Sequence, residues 1–64
     1  MTDNPIVHTE KLNCQGDNNI TLTRFKDKTV ILTLNSGKVV SSQMHLTWHD
    51  TEALYMVLAR ITDV

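Results

Sequence analysis

The chain has 64 residues, of which 41% are hydrophobic and 20% charged, and its net charge is −1. A chain this short forms one domain that hides only about 60% of the surface its unfolded form exposes, so its stability is marginal. This composition excludes a disordered chain, and the near-neutral charge does not favour a protein built on wholesale phosphate neutralisation.

Cys14 is the single cysteine, so no intrachain disulfide can form and another source of stability is needed. A lone thiol favours a reducing compartment, and we expect a cytoplasmic protein. Residues 1–4 are polar and acidic rather than signal-like, and no run approaches a membrane span, so no membrane contact is expected. We expect one domain over residues 1–64, with residues 1–5 as a flexible start.

The first strand-like run covers residues 6–13, where the alternation of polar and apolar side chains is loose. Residues 15–19 follow as a predicted loop, because Gly, Asp and Asn tolerate left-handed conformations and form local hydrogen bonds. Whether residues 6–13 join the sheet or wrap around another subunit stays open at this point.

Three clearer strands follow at residues 20–25, 29–34 and 39–46, which are rich in Thr, Val, Ile and Leu and alternate with a period of two. The link at residues 26–28 is short enough for a hairpin. Residues 35–37 resemble a type I turn with Gly in the left-handed bulge position. Both connections predict antiparallel neighbours.

The alternation also predicts two different sheet faces. We assign to the core the parity that carries Ile20, Leu22, Val30, Leu32, Leu34, Val40, Met44 and Leu46, interrupted by Ser42. The other parity is polar with apolar islands and carries Thr21, Thr23, Phe25, Ile31, Thr33, Val39, Ser41, Gln43 and His45.

A helix is predicted over residues 48–61. Thr47 and Asp50 have the spacing of a capping box, although Glu or Gln is usual at the second place. Asp50 and Glu52 in the first turn and Arg60 in the last agree with the helix dipole. The period of about 100° per residue gives an apolar stripe that is expected to cover the sheet, formed by Leu54, Val57, Leu58 and Ile61. The expected fold class is therefore α+β, a three- to four-stranded antiparallel β meander followed by one C-terminal α-helix packed on one sheet face.

A second stripe lies about 120° around the helix from Leu54 and holds Trp48, Tyr55 and Ala59. These aromatic side chains either complete the core of the monomer or form a contact with another subunit or a partner, because Trp and Tyr are favoured interface anchors. Self-association would supply the stability that a small core lacks.

The sequence contains no recognisable catalytic motif. Cys14 and the three histidines lie in separate elements, no paired cysteine knuckle is present, and the first-turn carboxylates are explained by the helix start. The two glycines stand alone, so no phosphate loop is predicted. We expect no enzyme, no metal site and no cofactor.

The middle of the chain is basic: residues 20–46 hold four basic side chains against one acidic one, a net +3, whereas residues 1–19 and 47–64 each sum to −2. The lysines are interpreted either as solvated hairpin ends that protect strand edges or as an anion-facing patch. For the patch, phosphate contacts are expected from Arg24, Lys26, Lys28 and Lys38, with Phe25 stacking on a base of a single strand.

Two family resemblances bear on this choice. The strands that end in His45-Leu46-Thr47 and lead into a helix resemble the small transcription-coactivator fold in which the curved sheets of a dimer hold single-stranded DNA. Val30-x-Leu32-x-Leu34-x-x-Gly37 is similar to the first half of the Sm motif of RNA-binding barrels, but Ser42 and Trp48 stand where that motif has its later glycine and aspartate. No binding residue is carried over from either.

The function expected is that of a small non-enzymatic binding module of the regulator or inhibitor type, homodimeric, that acts by contact with a protein partner. The contact residues expected are Trp48, Tyr55 and Met56 from the helix and Phe25 and Ile31 from the open sheet face. The alternative is a single-stranded nucleic-acid binder that uses the basic meander.

Overall fold

The computed structural model describes residues 3–63 of the chain. The elements follow one another as β1 (Ile6–Asn13), β2 (Asn18–Phe25), β3 (Val30–Ser36), β4 (Val39–Leu46) and α1 (Trp48–Thr62). The strands form a four-stranded antiparallel sheet in the order β1-β2-β3-β4, and the single helix follows it. The predicted α+β fold is confirmed.

The first run, whose place was left open, pairs with β2 along its length as an edge strand of the sheet. β2 begins at Asn18, two residues before the predicted start, because Asn18 and Asn19 pair with Ser36 and Asn35 of β3. The predicted loop is therefore shorter than residues 15–19. Upstream of β1, Asn4 Oδ1 accepts a hydrogen bond from the backbone N–H of Asp27 at 3.1 Å. The predicted flexible start also includes residues 1–2, which lie outside the described residues.

Two tight connections set the antiparallel pairing. The Phe25 N–H donates to the Thr29 carbonyl at 2.9 Å and closes a loop of residues 26–28, in which Lys28 has a φ of 73°. This is a hairpin loop that ends in a left-handed residue, a position where glycine is usual. Between β3 and β4, Gly37 is left-handed as predicted, with a φ of 63°. The turn itself consists of Gly37 and Lys38, because β3 continues to Ser36.

Cross-strand pairs in an antiparallel sheet share a face, so the register assigns the side chains to two faces. Arg24 pairs with Val30, and Val30 pairs with Leu46, which places an arginine among the aliphatic side chains. We call this side the apolar face, which carries Ile20, Leu22, Arg24, Val30, Leu32, Leu34, Met44 and Leu46. The opposite side, the polar face, carries Thr21, Thr23, Ile31, Thr33, Gln43 and His45.

A bulge in β4 corrects the predicted parity at one end of the sheet. Leu34 pairs with Ser42 while Asn35 pairs with Val40, so Ser41 is an extra residue in β4. An extra residue reverses the alternation beyond it. Val40 therefore lies on the polar face and Val39 on the apolar face, the reverse of the prediction.

The helix begins where the capping box placed it. Thr47 Oγ1 accepts a hydrogen bond from the Asp50 backbone N–H at 3.1 Å, and Asp50 Oδ2 accepts from the Thr47 N–H at 3.3 Å. Asp50 thus fills the role that Glu or Gln usually has. The helix ends at Thr62, one residue past the predicted end.

The helix contacts the sheet through β4, and its N-terminal Trp48 lies over Arg24 of the apolar face. The predicted stripe covers the sheet only at this end. Leu54 is half-buried, whereas Leu58 is 52% and Ile61 64% exposed. Periodicity identified the apolar side of the helix correctly, but most of that side does not cover the sheet of its own chain.

The core of the described chain is thin. Val30 is the one apolar side chain in residues 3–63 that is buried, at 5% exposed. Burying one such side chain contributes about 2 kcal/mol, a small part of the 5–15 kcal/mol typical of folded proteins. The radius of gyration is 13.2 Å, compared with about 10.7 Å for a compact chain of this length. Sheet and helix therefore leave much apolar surface open.

Within residues 3–63, α1 falls short of the length and apolar character that a helix needs to span a membrane.

Candidate functional site

One side of α1 forms a groove of about 470 Å³. We call it the helix groove; it is lined by Trp48, Thr51, Glu52, Tyr55 and Met56. These residues are spaced three or four apart, so they meet on one side of the helix. Three of them, Trp48, Tyr55 and Met56, belong to the predicted contact set, and the structure brings them together.

The indole of Trp48 is held in place by two cations from the β2–β3 hairpin. The Arg24 guanidinium carbon lies 4.9 Å and the Lys28 ammonium nitrogen 5.9 Å from the ring centroid. Both distances are within the range in which a cation is attracted by the face of an aromatic ring. Arg24 Nε is buried and has no hydrogen-bond partner among the described residues, so the contact with the ring carries the interaction of this side chain.

The loop that carries Lys28 is organised by Asp27. The Asp27 carboxylate accepts hydrogen bonds from the hydroxyl and the backbone N–H of Thr29. These bonds, the hydroxyl bond first, lower the pKa of Asp27 below its ordinary value of 3.8. The ordered loop positions Lys28 beside the groove.

Tyr55 does not complete the core of the monomer, which was one of the two predicted roles of the aromatic stripe. Its side chain is 70% exposed, and that of Met56 is 58% exposed. Trp48 is partly covered by the hairpin cations, and its remaining exposed edge lines the groove. The helix groove therefore presents a fixed indole next to two free apolar side chains.

The other two predicted contact residues lie on the opposite side of the sheet. Phe25 pairs with Ile6, and Ile31 pairs with Thr23 and with His45. Phe25 and Ile31 are both half-buried and lie on the polar face. The predicted contact set is thus divided between the helix groove and the polar face.

The four basic residues considered for phosphate binding do not form one patch. Lys26 and Lys28 lie in the β2–β3 loop, and Lys38 lies in the turn at the other end of β3. A seven-residue strand separates these turns by roughly 20 Å. Arg24 lies on the apolar face against Trp48, not beside the polar face where Phe25 lies.

Residues with metal-binding or nucleophilic side chains are spread over the described chain. In residues 3–63, no three side chains of His, Cys, Asp or Glu type come close enough to hold a metal ion. Cys14 is exposed and its thiol contacts the carbonyl of Leu12. His8 pairs with Glu10 in β1, the exposed edge strand on the opposite side of the sheet from β4 and the helix.

Two features of the groove were not predicted from the sequence. Glu52 was assigned to the helix dipole alone, although its spacing of four from Trp48 places it on the same side of the helix. The contact of Arg24 and Lys28 with Trp48 joins residues about twenty positions apart, and no local pattern in the sequence indicates it.

Together, the fold and the groove define a small α+β protein with an antiparallel sheet, one helix that contacts the sheet through β4, and an aromatic groove on that helix. Comparison with protein-family models, curated proteins and solved structures gives no significant match for this chain.

Proposed function

We propose that the chain is a small non-enzymatic binding module, homodimeric, that acts as a regulator or inhibitor by contact with a protein partner. The observation that supports this most directly is the helix groove, in which Trp48, Tyr55 and Met56 line one concave surface.

The composition of the groove fits a protein ligand. Trp and Tyr are the side chains most enriched at interface hot spots, and Met adapts to irregular apolar surfaces. A volume of about 470 Å³ accommodates a large side chain of a partner together with its neighbours. Glu52 at the rim favours a partner that presents a basic group beside its apolar anchor.

The groove also has a rigid part, which lowers the entropic cost of binding. The Trp48 ring is held by Arg24 and Lys28, so its position is set before a partner arrives. An anchor that is already ordered loses less conformational freedom when a complex forms. Tyr55 and Met56 remain free to adjust to the partner.

The proposal includes no catalytic step, metal or cofactor, since each groove side chain has a role in contact. We place the protein in the cytoplasm, because Cys14 is a free and exposed thiol, which suits a reducing compartment.

The alternative of single-stranded nucleic-acid binding has less support from the geometry. Its four basic residues lie at two ends of the sheet and on the apolar face, and Phe25 lies on the polar face. It is retained as an outcome of the test below.

The test compares Tyr55→Ala with Val7→Ala. Both truncate exposed apolar side chains, but Val7 lies in β1, at the sheet edge opposite to β4 and the helix. The tagged wild-type protein is used to capture proteins from its native host, and both variants are run in parallel. We expect a captured protein that Tyr55→Ala loses at least tenfold and Val7→Ala retains, because central aromatic anchors dominate binding energy.

A captured protein retained equally by both variants would contradict the proposed groove. Binding of the wild-type chain to a single-stranded oligonucleotide, weakening steeply with added salt, would favour the alternative.

A further inference from the structure

The described residues leave open an apolar surface on the sheet and another on the helix. On the apolar face, Leu22 and Leu34 are over a third exposed and Met44 is 58% exposed. On the helix, the stripe that was predicted to cover the sheet leaves Val57, Leu58 and Ile61 open. Two apolar surfaces of the same chain are therefore uncovered, and because both are apolar, each could cover the other.

The amount of this surface can be compared with that of a compact protein. The chain has an accessible surface of 5406 Å² and a mass of 7.3 kDa. A compact monomer of this mass exposes about 4,200 Å², so the chain exposes about 1,200 Å² in excess. Two copies that bury this excess would form an interface of about 2,400 Å², which is within the range of obligate homodimers.

We propose that a second copy of the chain covers this surface, with the helix stripe of each copy packed on the apolar face of the other. This deepens the homodimer of the proposed function by assigning its surface, and it rests on that part of the proposal. A twofold interface is reciprocal. If the helix stripe of the first copy packs on the apolar face of the second, the helix stripe of the second packs on the apolar face of the first. One symmetric contact thus covers both open surfaces of both copies.

The geometry of the single chain allows the helix stripe of one copy to pack on the apolar face of another. The helix contacts its own sheet through β4, and beyond Leu54 the stripe is more than a third exposed. The helix of a partner can therefore reach the apolar face over β2 and β3, where Leu22 and Leu34 are open.

The helix groove remains available in such a dimer. Trp48 and Tyr55 lie about 120° around the helix from Leu54, since each residue advances the helix by about 100°. The dimer surface and the partner groove are thus on different sides of the helix, and substitutions can separate them.

The first measurement is the solution mass of the wild-type chain and two variants by light scattering. We expect the wild-type chain and Tyr55→Ala to have twice the chain mass, and Leu58→Glu to have the mass of one chain. Leu58→Glu places a carboxylate in the centre of the stripe, whereas Tyr55 lies in the groove. A monomeric wild-type chain would overturn both the homodimer and this surface. A Leu58→Glu variant that stays dimeric and folded would overturn the surface alone.

The second measurement tests the proposed dimer surface if Leu58→Glu does not fold. In a Cys14→Ser background, a chain with Met44→Cys is mixed with a differently tagged chain with Leu58→Cys, and a short bis-maleimide is added. We expect a cross-linked pair that carries both tags. A Lys38→Cys chain mixed with the same partner is the control, because Lys38 lies in the exposed turn between β3 and β4, at one end of the sheet. Equal or greater linkage through Lys38 would overturn the proposed surface, although the homodimer itself would stand.

Discussion

Lys28 and Gly37 are the left-handed residues of the two tight connections of the meander. Both have positive φ, 73° and 63°, although one is a β-carbon-bearing residue and the other is glycine. A left-handed conformation costs an ordinary residue roughly 1–2 kcal/mol and glycine almost nothing. Lys28 adopts this strained conformation in a loop that also places its ammonium group near the Trp48 ring.

This difference predicts opposite effects of two substitutions. Lys28→Gly is expected to raise the free energy of unfolding by about 1 kcal/mol, since the relief of strain exceeds the loss of a long cation–aromatic contact. Gly37→Ala is expected to lower it by about 1 kcal/mol through the backbone alone, because an added β-carbon meets no atom within 4 Å. Urea denaturation at fixed protein concentration measures both. Destabilisation by Lys28→Gly would show that the contact with Trp48 outweighs the strain.

Asp27 predicts a dependence of stability on pH. Its hydrogen bonds from Thr29 lower its pKa in the folded chain below 3.8. The ionised carboxylate therefore stabilises the fold above that pH, and the stabilisation is lost as the pH falls through the folded value. The effect is small, because the side chain is exposed.

Asp27→Asn isolates this contribution. We expect the difference in urea midpoint between the wild-type chain and Asp27→Asn to shrink as the pH is lowered from about 5 to about 3. Asp17→Asn, which alters an exposed carboxylate in the loop between β1 and β2, serves as the control substitution. A difference that stays constant over this interval would exclude the carboxylate of Asp27 as the cause.

At the scale of elements, the helix start is the best-defined feature. Thr47 and Asp50 exchange two hydrogen bonds, so the first turn has two of its free backbone N–H groups satisfied. Because the helix contacts the sheet through β4 and leaves Leu58 and Ile61 exposed, local capping has a larger share in the stability of the helix.

Thr47→Ala is therefore expected to lower the free energy of unfolding by about 1 kcal/mol. Thr47→Ser keeps the hydroxyl and is expected to change it by less than half as much. Helix content by circular dichroism and urea denaturation measure the effect. Equal losses in both variants would show that the methyl group of Thr47, not its hydroxyl, supports the helix.

The elements themselves follow closely from sequence because their signals are local. Period-two alternation gave the strands, and the spacing of Thr47 and Asp50 gave the helix start. The bulge at Ser41 was missed, because an extra residue in an edge strand leaves no mark on composition. For the same reason Val39 and Val40 were assigned to the wrong faces.

The sequence does not show which surface covers the apolar side of the helix. Amphipathic periodicity identifies Leu54, Leu58 and Ile61 as apolar positions, but it does not say whether their own sheet or another molecule meets them. The candidate groove was predicted in part: Trp48, Tyr55 and Met56 followed from interface preferences of residue types. The cations that fix Trp48 depend on the tertiary placement of a hairpin, which no local pattern encodes.

At the scale of the whole molecule, the central feature is an apolar surface too large for a chain of this size. Among residues 3–63, Val30 is the one buried apolar side chain, and the radius of gyration is 13.2 Å, so the chain alone leaves much of its apolar surface uncovered. The proposed association with another copy would supply this burial, and it would link the stability of the fold to the concentration of the protein.

The urea midpoint of the wild-type chain, measured at two protein concentrations a hundredfold apart, tests this most directly. If folding and dimer formation are linked, the more concentrated sample gains about 2.7 kcal/mol per dimer and its midpoint rises accordingly. A midpoint that is the same at both concentrations would contradict the account, because the chain would then be stable with its apolar face and helix stripe uncovered.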